Sequence, residues 1–179
     1  MVETPASRLW IMRASFGALA LVIVLLQLIP LETMPRNWAA PDILLAMTFA
    51  WSLRRPDYVP AVLIAGVMLF ADLMLHRPPG LMAAFVLIAS EVLKRRVLQM
   101  RDEGFLSELL LVTSMIVALT LGMRVVHSVL FIPNPPLGLT AFQTAMTLLF
   151  YPVVVLASGL LFGVRAHAPG EEATGGSRL

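Results

Sequence analysis

The chain has no cysteine and little charge of either sign: 13 Lys and Arg, 11 Asp and Glu, and 3 His in 179 residues. The first absence excludes disulfides, thiolate metal sites and thiol nucleophiles. The second excludes a soluble domain of this size, whose large polar surface cannot be covered with 13% charged residues. Also missing are a phosphate-binding glycine loop, a metal-ligand motif, an adjacent pair of intramembrane acids and a Ser/His arrangement of recognisable spacing. No catalytic residue, cofactor or metal is therefore assigned. The pI of about 9.7 does not point to nucleic acid, because the net charge is only +2. The basic residues stand at the ends of apolar runs instead of along one face, which fits membrane orientation and contact with lipid headgroups.

What is abundant is hydrocarbon: 59% of residues are hydrophobic and the mean hydropathy is +0.86. Apolar runs able to cross roughly 30 Å of bilayer recur along the chain. They predict an all-α polytopic membrane protein, a bundle of six transmembrane helices at about 14–31, 38–53, 58–75, 80–93, 107–132 and 139–164. The breaks are proline-rich or charged, as at Arg54-Arg55-Pro56-Asp57, His76-Arg77-Pro78-Pro79-Gly80 and Pro133-Asn134-Pro135-Pro136. Residues 1–165 read as one membrane domain, and 166–179, rich in Gly, Ala and Glu, as a disordered cytoplasmic tail. The first run is longer than a signal-peptide core and lacks a small-residue cleavage site, so it reads as a retained helix.

With the N-terminus inside, ten Lys and Arg fall on the cytoplasmic side and only Arg36 and Arg77 outside, with Arg124 within the fifth run. That bias predicts both termini in the cytoplasm and an even number of spans. Trp10, Trp51 and Tyr58 are then expected near the inner interface, and Glu91 and Glu108 in the inner headgroup region.

Polar residues at membrane depth are few, and each needs a partner or water. Asp42, Asp72, Arg124 and His127 share the outer half, so they form a candidate polar pocket or partner site, with Asp72 and Arg124 expected to pair or to share that pocket. Asp42, after Pro41, also suits an early helical turn as an acid that complements the dipole. Gly159 and Gly163 form a GxxxG, a candidate packing face, and Ala14 and Ala18 a weaker pair of the same kind. Pro152 is expected to kink the last helix. Lys94, Arg95 and Arg96 are the candidate cytoplasmic contact, with a partner or with anionic lipid.

Pro41-Asp42-Ile43-Leu44-Leu45 at the second run, Ala71-Asp72-Leu73 late in the third, Pro79-Gly80-Leu81 entering the fourth, and the Trp51-Ser-Leu-Arg-Arg-Pro56 connection together resemble the MreD family, in particular its alphaproteobacterial members. MreD is the rod shape-determining membrane protein of the bacterial cell-wall elongation machinery. The resemblance implies a non-enzymatic scaffold in the inner membrane that associates with MreC and, through it, with MreB, RodA and the partner transpeptidase of RodA. It also implies a fold similar to the six-helix substrate-binding subunits of vitamin importers, with an outward-facing pocket. The alternative reading is such a transporter subunit itself.

Overall fold

A computed structural model describes residues 5–29, 39–96 and 104–164. They form six helices, with no strand among the described residues: α1 (Pro5–Leu28), α2 (Ile43–Arg54), α3 (Ala61–Met74), α4 (Leu81–Arg96), α5 (Phe105–Val129) and α6 (Leu137–Phe162). The six expected runs are thus six helices. Trp38, the 97–103 connection and the 166–179 tail lie outside the described residues.

The helix ends differ from the apolar runs for local reasons. α1 begins at Pro5, well before Ala14, because proline is tolerated in a first turn, and Arg8 and Arg13 continue the helix. α2 begins late, at Ile43, where the Asp42 side chain accepts from Leu45 N at 3.0 Å and caps it. α3 begins late because Pro56–Tyr58 forms a 3-10 turn and Pro60 holds the cap position. α4 runs on through Lys94, Arg95 and Arg96, whose charges suit a helix C-terminus. α5 stops short of Ile132 because Phe131 turns the chain at a φ of 55°. Pro152 lies inside α6, which continues as helix on both sides of it.

Among the described residues three helices are long and apolar enough to cross a membrane: Ser7–Leu28, Phe105–Val129 and Leu137–Phe162. Each buries one narrow stripe at helical spacing. These stripes are Phe16, Ala20 and Val24 on α1, Val112, Ile116 and Leu119 on α5, and Thr147, Tyr151, Val155 and Ser158 on α6. The remaining faces turn apolar side chains outward; Leu110, Leu121, Val125, Leu156 and Leu160 are all exposed. An apolar exterior of this extent suits lipid as the solvent and would aggregate in water. Ala14 and Ala18 lie off the buried stripe of α1 and are exposed.

α2 is the opposite case. It has 12 residues, ten of them buried, and at 1.5 Å per residue it is about 18 Å long, well short of a bilayer core. Its closest neighbours are α6 and α4, with α1 on a further side. Trp51, expected at an interface, is instead fully buried. Its ring lies 5.5 Å from Phe16, 6.4 Å from Tyr58 and 5.7 Å from Phe162, and its Nε1 donates to Ser158 Oγ at 3.1 Å. An indole buried this deeply needs that one acceptor, and α6 supplies it.

The GxxxG of α6 has a different use from the one expected. Gly163 is the left-handed C-cap, with φ of 62°, and its N–H and that of Val164 both donate to Ser158 O. A Cβ on Gly163 would meet nothing within 4 Å, and one on Gly159 would meet only Val164 O at 3.8 Å. The motif ends the helix and is not a packing face within the chain.

Candidate functional site: a polar cavity at the Asp42 end

The antiparallel helices leave two unlike ends. At the end that carries Arg54, this residue, Glu108, Glu91 and Lys94 are bonded to protein partners. Arg54 donates from Nε and Nη2 to the two Glu108 oxygens at 3.2 and 3.0 Å, and Tyr151 O–H donates to Glu108 Oε1 at 2.7 Å. Both charged side chains are largely buried, at 15% and 17% exposure. Glu108 therefore does not reach out to headgroups: it ties α2, α5 and α6 together. Lys94 donates to Val59 O at 2.7 Å and to Glu91 Oε1 at 2.8 Å. That removes Lys94 from the expected cytoplasmic contact, while Arg95 and Arg96 stay exposed.

At the other end, the shortness of α2 leaves a space that its neighbours surround without filling. The result is a cavity of about 410 Å³. Asp42 lines it from the α2 cap, Arg77 from the α3–α4 turn, Arg124 and His127 from α5, and Thr140 and Gln143 from α6. Its floor is apolar, made by Leu45, Met82, Ile116, Leu119 and Met123. The wall between α4 and α5 is tight at Gly122, where a Cβ would come within 2.5 Å of the Phe85 ring.

Three of the four residues expected to gather here do so: Asp42, Arg124 and His127. Asp42 is held on every side: its N–H donates to Thr147 Oγ1 at 2.9 Å, Oδ1 accepts from Leu45 N, and Oδ2 lies 3.9 Å from Arg77 Nη1. Arg124 Nη1 donates to Pro135 O at 3.1 Å and to Thr140 Oγ1 at 3.2 Å, which pins α5 to the start of α6.

Asp72 is the exception. It is fully buried, does not line the cavity, and is not the partner of Arg124. Its Oδ2 accepts from Gly80 N at 3.1 Å and Ala83 N at 3.2 Å, two amides of the opening turn of α4. A carboxylate reaching back from α3 thus caps the next helix, an arrangement helped by Gly80, whose φ of 82° is open to glycine. Sign and depth made the Asp72–Arg124 pair attractive, but the two side chains point to different neighbours.

Sequence reasoning also missed the part of Arg77, which sat in a short loop and counted only as an outer charge. Its spacing from Pro79-Gly80 was the available signal, since that turn lies over the start of α4. A second concavity, of about 620 Å³, lies between α1 and α3. It is lined by Gly17, Ala20, Val24, Gly66, Val67 and Phe70, with Trp10 and Arg13 at its Arg54 end. The Arg13 guanidinium lies 5.3 Å from the Trp10 ring centroid. Cβ atoms on Gly17 and Gly66 would meet nothing within 4 Å, so both glycine faces are open to the groove.

No family model, no curated protein and no solved structure matches the chain.

Proposed function

We propose that the chain is a non-enzymatic scaffold of the bacterial cell-wall elongation machinery, an inner-membrane protein of the MreD kind with six spans and both termini in the cytoplasm. The observation that carries this reading is the open groove between α1 and α3. Transmembrane helices associate through small residues that let backbones approach, and here two glycines face empty space along one apolar furrow. A single-span partner such as MreC fits that furrow, with MreB, RodA and the RodA-associated transpeptidase reached through it. The motifs behind the resemblance also act as one unit: Asp42 caps α2 and faces Arg77, and Asp72 caps α4 at Gly80. The ten-to-two distribution of Lys and Arg supports the orientation.

Deleting the gene from a rod-shaped host is expected to give rounded, lysis-prone cells, and reintroducing the wild-type chain to restore rods. Gly17→Leu and Gly66→Leu project into the groove, where a Cβ at either position meets nothing within 4 Å. They are expected to abolish co-purification with the single-span partner while membrane levels stay unchanged. Rods of normal shape after deletion would sink the reading, as would undiminished co-purification by the doubly substituted chain.

A second reading, a substrate-binding subunit of a small-molecule importer, draws on the 410 Å³ cavity at the Asp42 end. It predicts normal rods that need an added nutrient after deletion.

A further inference from the structure

We infer that the cavity at the Asp42 end binds a molecule bearing a phosphate or carboxylate group, with Arg124 as the group that takes its charge. The inference stands apart from the scaffold reading, since a shape phenotype tests one and anion binding the other.

The charges at the cavity wall leave one cation without a carboxylate among the described residues. Arg54–Glu108, Arg77–Asp42 and Lys94–Glu91 are ion pairs between described residues. The one carboxylate lining the cavity, Asp42, is therefore already matched by Arg77, by the Leu45 amide and by the N-terminus of α2 that it caps. Arg124 is matched by no described carboxylate. Its bonds go to two neutral oxygens, Pro135 O and Thr140 Oγ1, and both are made by the single nitrogen Nη1. A guanidinium carries five N–H donors in a rigid fork suited to phosphate and carboxylate. The other donors of Arg124 belong to a residue that lines a cavity with room for a small molecule.

Arg124 is five residues from the last residue of α5, Val129, or about 7.5 Å of helix rise. Its charge is held beside the cavity by bonds to Pro135 O, before α6, and to Thr140 Oγ1, in the first turn of α6. A fixed, partly desolvated cation facing a cavity attracts an anion more strongly than a solvated surface arginine does. The amide of Gln143 adds a neutral donor on the α6 side, whereas the hydroxyls of Thr140 and Thr144 already donate to Pro136 O and Thr140 O. The apolar floor suits a short hydrocarbon portion below the charged head. That chemistry is met by an anionic phospholipid entering from the bilayer or by a free organic phosphate or carboxylate entering from the aqueous end.

The test uses the purified full-length chain in detergent and two anionic probes, each with a neutral counterpart. Native mass spectrometry compares phosphatidylglycerol with phosphatidylcholine, and calorimetric titration compares butyl phosphate with butanol. At least one anion is expected to bind one to one and at least tenfold more tightly than its neutral counterpart. Arg124→Gln is expected to weaken it tenfold or more, Arg124→Lys to retain part of the affinity, and Arg8→Gln, at the opposite end, to change nothing. Binding of phosphatidylglycerol alone assigns the site to a lipid headgroup, and binding of butyl phosphate alone to a free molecule. The proposal is overturned if neither anion outbinds its counterpart, or if Arg124→Gln binds like wild type. Arg124→Lys keeps the test decisive should the glutamine variant fail to fold, because a lysine that binds no anion also overturns it.

Discussion

Glu108→Ala lowers the stability of the purified chain by about 3–5 kcal/mol, the usual cost of removing one partner from a buried ion pair. The effect is large because the carboxylate serves three helices. Its removal leaves the Arg54 guanidinium buried at 15% exposure without an anion and the Tyr151 hydroxyl without its acceptor. Glu108→Gln keeps an acceptor for Tyr151 but not the charge, and falls between wild type and alanine. The double variant Arg54→Met/Glu108→Leu recovers part of the loss, because apolar side chains of similar volume remove the stranded Arg54 charge while the buried Tyr151 hydroxyl stays without its acceptor. Unfolding midpoints of the four chains in one detergent decide the matter. If the alanine variant melts with wild type, the network does not hold these helices together.

Asp72→Ala costs about 2–4 kcal/mol, because two amides of α4 lose a buried acceptor at once. Asp72→Asn costs less than alanine, since the amide oxygen can still accept from Gly80 N and Ala83 N, although its NH2 takes the buried place of Oδ1, which has no partner. This contrast separates a cap from a charge-dependent role. Were the negative charge itself the point, asparagine and alanine would be equally damaging. Amide exchange at Gly80 and Ala83 gives a local readout, expected to accelerate in the alanine variant alone.

Much of the architecture was legible because a bilayer imposes a length on each apolar run and prolines end it, so six runs became six helices. What was not legible is which runs face lipid. The α2 sequence Ile43–Arg54 is as apolar as the long helices α1 and α5, and lipid tails are as apolar as leucine, so hydropathy does not distinguish a helix enclosed by protein from one bathed in acyl chains. The direction each side chain faces was hidden for the same reason. Depth along the membrane follows from position in the sequence, which placed Asp42, Arg124 and His127 at one level and brought them to one cavity. Rotation about each helix does not, and so Asp72 was assigned to Arg124 when its neighbour was the opening turn of α4. The Arg54–Glu108 pair was open to the same reasoning of sign and depth, since both stand at one end of the bundle. An expectation that acids near the interface reach outward concealed it.

The enclosed α2 has a bearing on how the protein is made. Its closest packing partner includes the last helix of the described chain, from Leu137 to Phe162. A ribosome that has released α2 must therefore go on through four more helices before all the groups that cover it exist. Until then Trp51 has no Ser158, Asp42 no Thr147 and Arg54 no Glu108 or Tyr151. A segment of about 18 Å is a poor candidate for independent insertion. The centre of this protein is consequently assembled late, after its outer helices have entered the membrane, and an incomplete chain is left with its polar interior unpartnered.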